Sequence, residues 1–190
     1  MHSVWIPRVV SAFVAAAVPA MTIGAQAPQL EVAGGLAVPL GAWGATRTPG
    51  PLVRASATLG APTRVVRFRA EVEGAWLLDQ IDRTPGAVGS SQQGNLRAVS
   101  AIGSVLVGGT RAGLAPYVVV GLAAQRLTVA GARNPYGTTA GLRAGAGLRW
   151  RFRRVVLHGE VTPHWALTDF GTGRDFGVGA YVPAVIGLSF

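Results

Sequence analysis

From Val66 to Leu78 the chain alternates strictly between two kinds of side chain. Even positions are Val66, Phe68, Ala70, Val72, Gly74, Trp76 and Leu78, and odd positions include Arg67, Arg69, Glu71 and Glu73. Successive strand side chains point to opposite faces, so this spacing predicts a strand with one oily and one ionic side. Leu142 to Phe152 repeats the pattern: Leu142, Ala144, Ala146, Leu148, Trp150 and Phe152 oppose Arg143, Gly145, Gly147, Arg149 and Arg151. A third run ends the chain, with Val178, Ala180, Val182, Ala184, Ile186, Leu188 and Phe190 on one face and Gly177, Gly179, Tyr181, Pro183, Val185, Gly187 and Ser189 on the other.

Applied to the rest of the chain, the same reading predicts strands over residues 29–38, 50–59, 65–78, 95–107, 115–126, 140–152, 155–166 and 176–190. The fourth and fifth alternate poorly. Connections alternate long and short, the short ones falling at Gly60 to Arg64, Gly108 to Leu114 and Arg153-Arg154. An even strand count with alternating loop lengths is the rhythm of a barrel that crosses a membrane, with short turns on the periplasmic side and long loops outside. No stretch past Ala27 stays apolar for the roughly 20 residues a spanning helix needs. The expected fold class is therefore all-β, an eight-stranded antiparallel up-and-down transmembrane β-barrel.

Composition sharpens this picture. Of 190 residues only 13% are charged and 27 are glycine, an unusual balance for a protein wholly surrounded by water. Every basic side chain outside histidine is arginine, and the formal charge is +9. The arginines alternate into the expected barrel and form no outer stripe interleaved with aromatics, which argues against nucleic acid as a partner. With no cysteine, disulfides, thiolate metal sites and cysteine nucleophiles are excluded. Arg8, the apolar run Val9 to Val18, Pro19 and the triplet Ala25-Gln26-Ala27 read as a secretory signal peptide. The expected division is thus a signal peptide over residues 1–27, cleaved after Ala27, and a barrel domain over 28–190, located in a bacterial outer membrane.

A soluble barrel also alternates, and Gly41-Ala42-Trp43 and Gly74-Ala75-Trp76 faintly resemble the Gly-x-Trp element of lipocalins, so a soluble periplasmic lipocalin-like barrel is one alternative. Two features favour the membrane. The non-oily faces of the first, second and last strands are mostly small, for example Ala33, Gly35, Ser56 and Gly187, which suits a narrow lumen shared with arginines. Aromatics also fall at two levels: Trp76 and Trp165 at the outer ends of their strands, and Phe68, Tyr117, Trp150, Phe152 and Phe190 at the periplasmic ends. From Phe68 to Trp76 the height is about 20 Å at a tilt near 40°, close to the apolar band of such barrels. With the closing Gly187-Leu188-Ser189-Phe190, these features resemble the small OmpA/OmpX-type outer-membrane barrels. That resemblance implies that the terminal strand is read by the outer-membrane assembly machinery.

The expected lumen holds Glu31, Arg54, Arg67, Arg69, Glu71, Glu73, Arg97, Arg143, Arg149, Arg151, His158, Glu160 and His164. Enclosed ions are costly unless paired, so an arginine–glutamate network is the expected filling. A tight turn at Arg153-Arg154 would set Arg149 opposite His158. Seven of these arginines face four glutamates, so those near the rims must be hydrated, or the lumen holds water and forms a narrow, anion-leaning channel. Catalysis by a lipid A or phospholipid acyl-modifying barrel is a third possibility. His158, Glu160 and His164 share a face, but no serine motif accompanies them and the histidines lie about 20 Å apart along the strand, too far for one metal. No catalytic residue, metal site or cofactor is therefore expected. Expected partners are outer-membrane lipid and lipopolysaccharide, with a possible extracellular partner at the long loops. Those loops hold Asp79, Asp82, Asp169 and Asp175, which could recruit divalent cations between lipid phosphates, while Arg64, Arg111, Arg153 and Arg154 occupy the short turns.

Overall fold

The computed structural model describes residues 27–41, 43–44, 47–61, 63–79, 95–108, 113–129, 137–152, 155–166 and 180–190. The expected signal peptide up to residue 26, the aspartates at 82, 169 and 175, and the arginines at 111, 153 and 154 lie outside these residues.

Every described element is a strand: β1 (Gln29–Leu40), β2 (Arg47–Thr48), β3 (Gly50–Leu59), β4 (Val66–Asp79), β5 (Leu96–Gly108), β6 (Leu114–Val129), β7 (Thr138–Phe152), β8 (Val155–Val161), β9 (His164–Ala166) and β10 (Ala180–Ser189). Two of the eight barrel staves are interrupted. β2 and β3 both pair with β4, but Thr48 faces Leu78 and Leu52 faces Ala75, so three residues on one side oppose two on the other. This is a bulge, placed where Pro49 and Pro51 cannot donate to the ladder. Only glycine fits its centre, since a Cβ on Gly50 would lie 1.8 Å from the Trp76 carbonyl oxygen. β8 and β9 share one register against β7 and β10, separated by Thr162-Pro163.

Neighbours in sequence pair antiparallel all the way round, and β1 closes on β10 from Glu31↔Ser189 to Leu40↔Ala180. Closure removes every free edge, the condition for a sheet to sit in hydrocarbon with its backbone satisfied. The stagger follows from the pairings. Moving across the ladders from Gln29 through Thr58, Arg69, Ser104, Gly121, Arg143, His164 and Tyr181 returns to β1 at Pro39, ten residues from the start. Eight staves with that displacement tilt by about 40° and enclose a cylinder of radius about 8 Å, room for side chains and little more.

The alternation sorts as the sequence suggests. Val72, Leu148 and Ile186 are 59, 50 and 69% exposed on the outer wall, while Arg69, Arg149 and Glu160 are 2, 5 and 3% exposed inside. Short turns join the staves at one end, where Gly60 and Gly108 take positive φ (105° and 110°) that other residues resist. Phe152 pairs directly with Val155, leaving a two-residue connection.

Candidate functional site in the barrel lumen

The chain encloses its ions at mid-height. Glu160, on β8, is the hub: it accepts from Arg54 Nη1 at 2.6 Å, Arg69 Nη2 at 2.8 Å and the Tyr117 hydroxyl at 2.9 Å, and Arg143 Nη2 also donates to it. Glu71 pairs with Arg143 Nη1 at 2.6 Å and Arg69 Nε at 3.1 Å, and accepts from Ser104 at 2.8 Å. Glu73 accepts from Arg54 Nη2 at 2.6 Å and from the Tyr181 hydroxyl at 2.9 Å. Three guanidinium groups and three carboxylates from four staves thus interlock, each arginine shared between at least two acids. Charge-assisted bonds of this kind offset the cost of removing the ions from water.

Toward the short turns a looser layer follows. Glu31 accepts from Ser56 at 2.8 Å and Ser189 at 3.1 Å, with His158 Nδ1 3.8 Å away. Arg149 faces His158 across β7 and β8 and donates to Gln29 at 2.7 Å, and Arg67 donates to the Gly108 carbonyl at 3.0 Å. Toward the long connections the filling is mainly apolar, although Arg47 and Thr139 are also buried at that end. Leu52, Leu77, Leu96, Leu127 and Val129 pack there, and Trp43 stacks on Tyr181 with ring centroids 6.3 Å apart. His164 lies beneath, its ring 4.9 Å from Tyr181 and its Nδ1 3.4 Å from Gln125. A plug of side chains therefore fills the bore above the ions.

Eleven of the thirteen expected lumen residues are buried inside. Two are corrected. Arg97 faces outward, because the inner face of β5 is Leu96, Ala98, Ser100, Ile102, Ser104 and Leu106. Arg151 has inner parity but is exposed at the short-turn rim, where water can hydrate it. Among the expected girdle residues, Phe68, Trp150, Phe152 and Phe190 are exposed on the outer wall at the short-turn end, and Trp76 and Trp165 lie on the outer wall at the other end. Tyr117 is a further correction: it is 3% exposed and turns inward to Glu160. Residues absent from the sequence-based site include Arg47, Tyr181, Gln125, Ser104 and Ser189. The period of their strands could have placed the last four inside, but polarity alone did not single them out.

Tyr117 reaches Glu160 only because residue 147 lacks a side chain, a Cβ there lying 2.5 Å from the phenol ring and hydroxyl. Gly147→Ala is expected to cost about 1–3 kcal/mol by overpacking. Tyr117→Phe removes a bond to a charged acceptor, worth about 1.5–3 kcal/mol. Because the two changes strike one contact, the double variant should lose less than the sum. Urea titrations of all four proteins in one vesicle type measure that coupling, and strict additivity would contradict the contact.

The sequence matches no protein-family profile and no curated protein. Solved structures do resemble it. Neisserial surface protein A (NspA) aligns at a TM-score of 0.61 and 15% identity, over 87% of this chain and 97% of that one. The N-terminal β-barrel domain of Pseudomonas aeruginosa OprF aligns at 0.52 and 16%, over 85% and 96%. The outer membrane enzyme PagL aligns at 0.46 and 10%, over 85% and 98%. A closed eight-stave cylinder with an ionic interior and an oily exterior, superposable along nearly its whole length on NspA, has the fold of the small outer-membrane β-barrels.

Proposed function

We propose that the protein resides in a bacterial outer membrane as an integral, non-conducting and non-catalytic barrel with a structural or surface-interaction role. One observation carries the reading. Large apolar side chains cover the outer wall of all eight staves, from Leu36 and Val53 through Val99, Val120 and Leu157 to Ile186, while Glu71, Glu73, Glu160, Arg54, Arg69 and Arg143 are enclosed. Water would select the reverse in a soluble barrel, whereas hydrocarbon selects this. A lipocalin-like soluble barrel fits poorly for the same reason.

The filled bore argues against the anion-leaning channel. An ion crossing it would have to break Arg54, Arg69 and Arg143 from their acids and then pass the Leu77, Leu127 and Trp43 plug. Planar bilayers containing the protein should show no sustained conductance steps, and reproducible anion-selective steps would contradict this. Acyl-chain chemistry is disfavoured by proton placement. A serine nucleophile activated by histidine needs its hydroxyl on the imidazole, yet Ser56 and Ser189 donate to Glu31, and His158 Nδ1 has no hydrogen-bond partner among the described residues.

Lipid and lipopolysaccharide are the partners this reading implies along the wall, with the assembly machinery engaging the terminal strand. The test is fractionation: the protein should sediment with outer membranes and run faster on gels unheated than boiled. Recovery as a freely soluble periplasmic species would contradict it.

A further inference from the structure

Among the described residues, outward arginines occur at one place on the strands of the outer wall. In β1 and β3 to β10 every outward position among the described residues is apolar or glycine except four: Arg97 on β5, Arg126 and Thr128 on β6, and Thr138 on β7. These four are contiguous. Arg97 faces Thr128 across one ladder, Arg126 faces Thr138 across the next, and Arg126 and Thr128 are neighbours on the outer face of β6. The two arginines are diagonal partners on adjacent strands, about 7–8 Å apart at the backbone, close enough for both guanidinium groups to reach one small anion. Trp76 flanks them as the β4 partner of Arg97. Both arginines are exposed, and neither is held by a described side chain.

Their height is informative. All four lie within a few residues of the strand ends that carry the long connections, the end that faces outward in membrane barrels. An outward arginine costs about 2–4 kcal/mol at the bilayer midplane and about 0–1 near an interface, so this patch sits where lipid headgroups begin. Across the cylinder, on β1 and β10, the corresponding ends present Val38, Leu40 and Val182. The cationic surface therefore belongs to one side of the barrel and is no general rim. Two guanidinium groups without a described side-chain partner and two hydroxyls, above a wall of Val99, Leu122 and Leu142, match a ligand with a phosphate head and several acyl chains.

We infer that Arg97, Arg126, Thr128 and Thr138 form a binding site for the phosphorylated headgroup of lipid A in the outer leaflet, with its acyl chains lying along β5 to β7. The inference rests on the membrane reading above. Purified full-length protein is folded into phosphatidylcholine vesicles holding a small fraction of bisphosphorylated lipid A, extracted in mild detergent, and its bound lipid counted by native mass spectrometry. Parallel vesicles carry dephosphorylated lipid A or phosphatidylglycerol.

The wild-type protein should retain bisphosphorylated lipid A about tenfold more than either alternative, the scale of one charge-assisted bond. The double variant Arg97→Gln/Arg126→Gln should lose that preference, and Arg151→Gln at the far rim should keep it. Equal retention of all three lipids by the wild type, or an unchanged preference in the double variant, would overturn the site. The wild-type comparison decides even where the variant folds poorly. A wild-type chain that never enters the vesicles would overturn the membrane reading and the site together, whereas an embedded, heat-modifiable barrel without preference overturns the site alone.

Discussion

Glu160→Ala is expected to lower the unfolding free energy in lipid vesicles by about 3–5 kcal/mol, the cost of leaving a buried charge without its partner. The reason lies in the count of charges at mid-height. Arg54, Arg69 and Arg143 are balanced there by Glu71, Glu73 and Glu160, and Glu160 contacts all three arginines. Without it one positive charge is uncompensated in a space sealed by the apolar plug above. Arg151→Ala, at the hydrated rim, should change stability by no more than about 0.5 kcal/mol. Urea unfolding followed by tryptophan fluorescence measures both. Similar small losses for the two variants would show that water reaches Glu160 freely and that the bore is open.

The second large effect concerns the outer wall. Val72 lies midway between Phe68 and Trp76 on β4 and is 59% exposed. Val72→Arg should destabilise the barrel in a bilayer by about 2–4 kcal/mol, because midway between the two aromatic levels the guanidinium meets hydrocarbon. In a water-soluble barrel the same substitution at so exposed a site would stay within about 0.5 kcal/mol. Unfolding measured in vesicles therefore distinguishes the two environments.

How much of this was legible in the sequence depended on polarity contrast. β4 and β7 oppose an oily face to an ionic one, so which residues share a face was readable from period, and the small residues and two aromatic levels indicated which face points in. β5 and β6 carry apolar residues on both faces, since Leu96, Ile102, Leu106, Val119, Leu127 and Val129 fill the bore. With no contrast, charge suggested that Arg97 points in and aromatic character suggested that Tyr117 points out, and both are reversed. The apolar plug was invisible for the same reason.

Pairings across a short turn were readable. Arg149 opposite His158 follows from two residues between Phe152 and Val155. The network's decisive contacts were not. Arg54 to Glu160 spans 106 residues and Tyr181 to Glu73 spans 108. Which side chains meet across the bore depends on closure and on the ten-residue stagger, and both emerge only when all eight ladders are in register.

The central claim is that the oily wall meets lipid. The chain has no cysteine, so a single environment-sensitive fluorophore can be attached at Val72→Cys, Leu148→Cys or Ile186→Cys in vesicle-embedded protein. Lipids brominated along their acyl chains should quench all three probes, and aqueous iodide should quench none. Strong quenching by iodide with no response to brominated lipid would contradict the account.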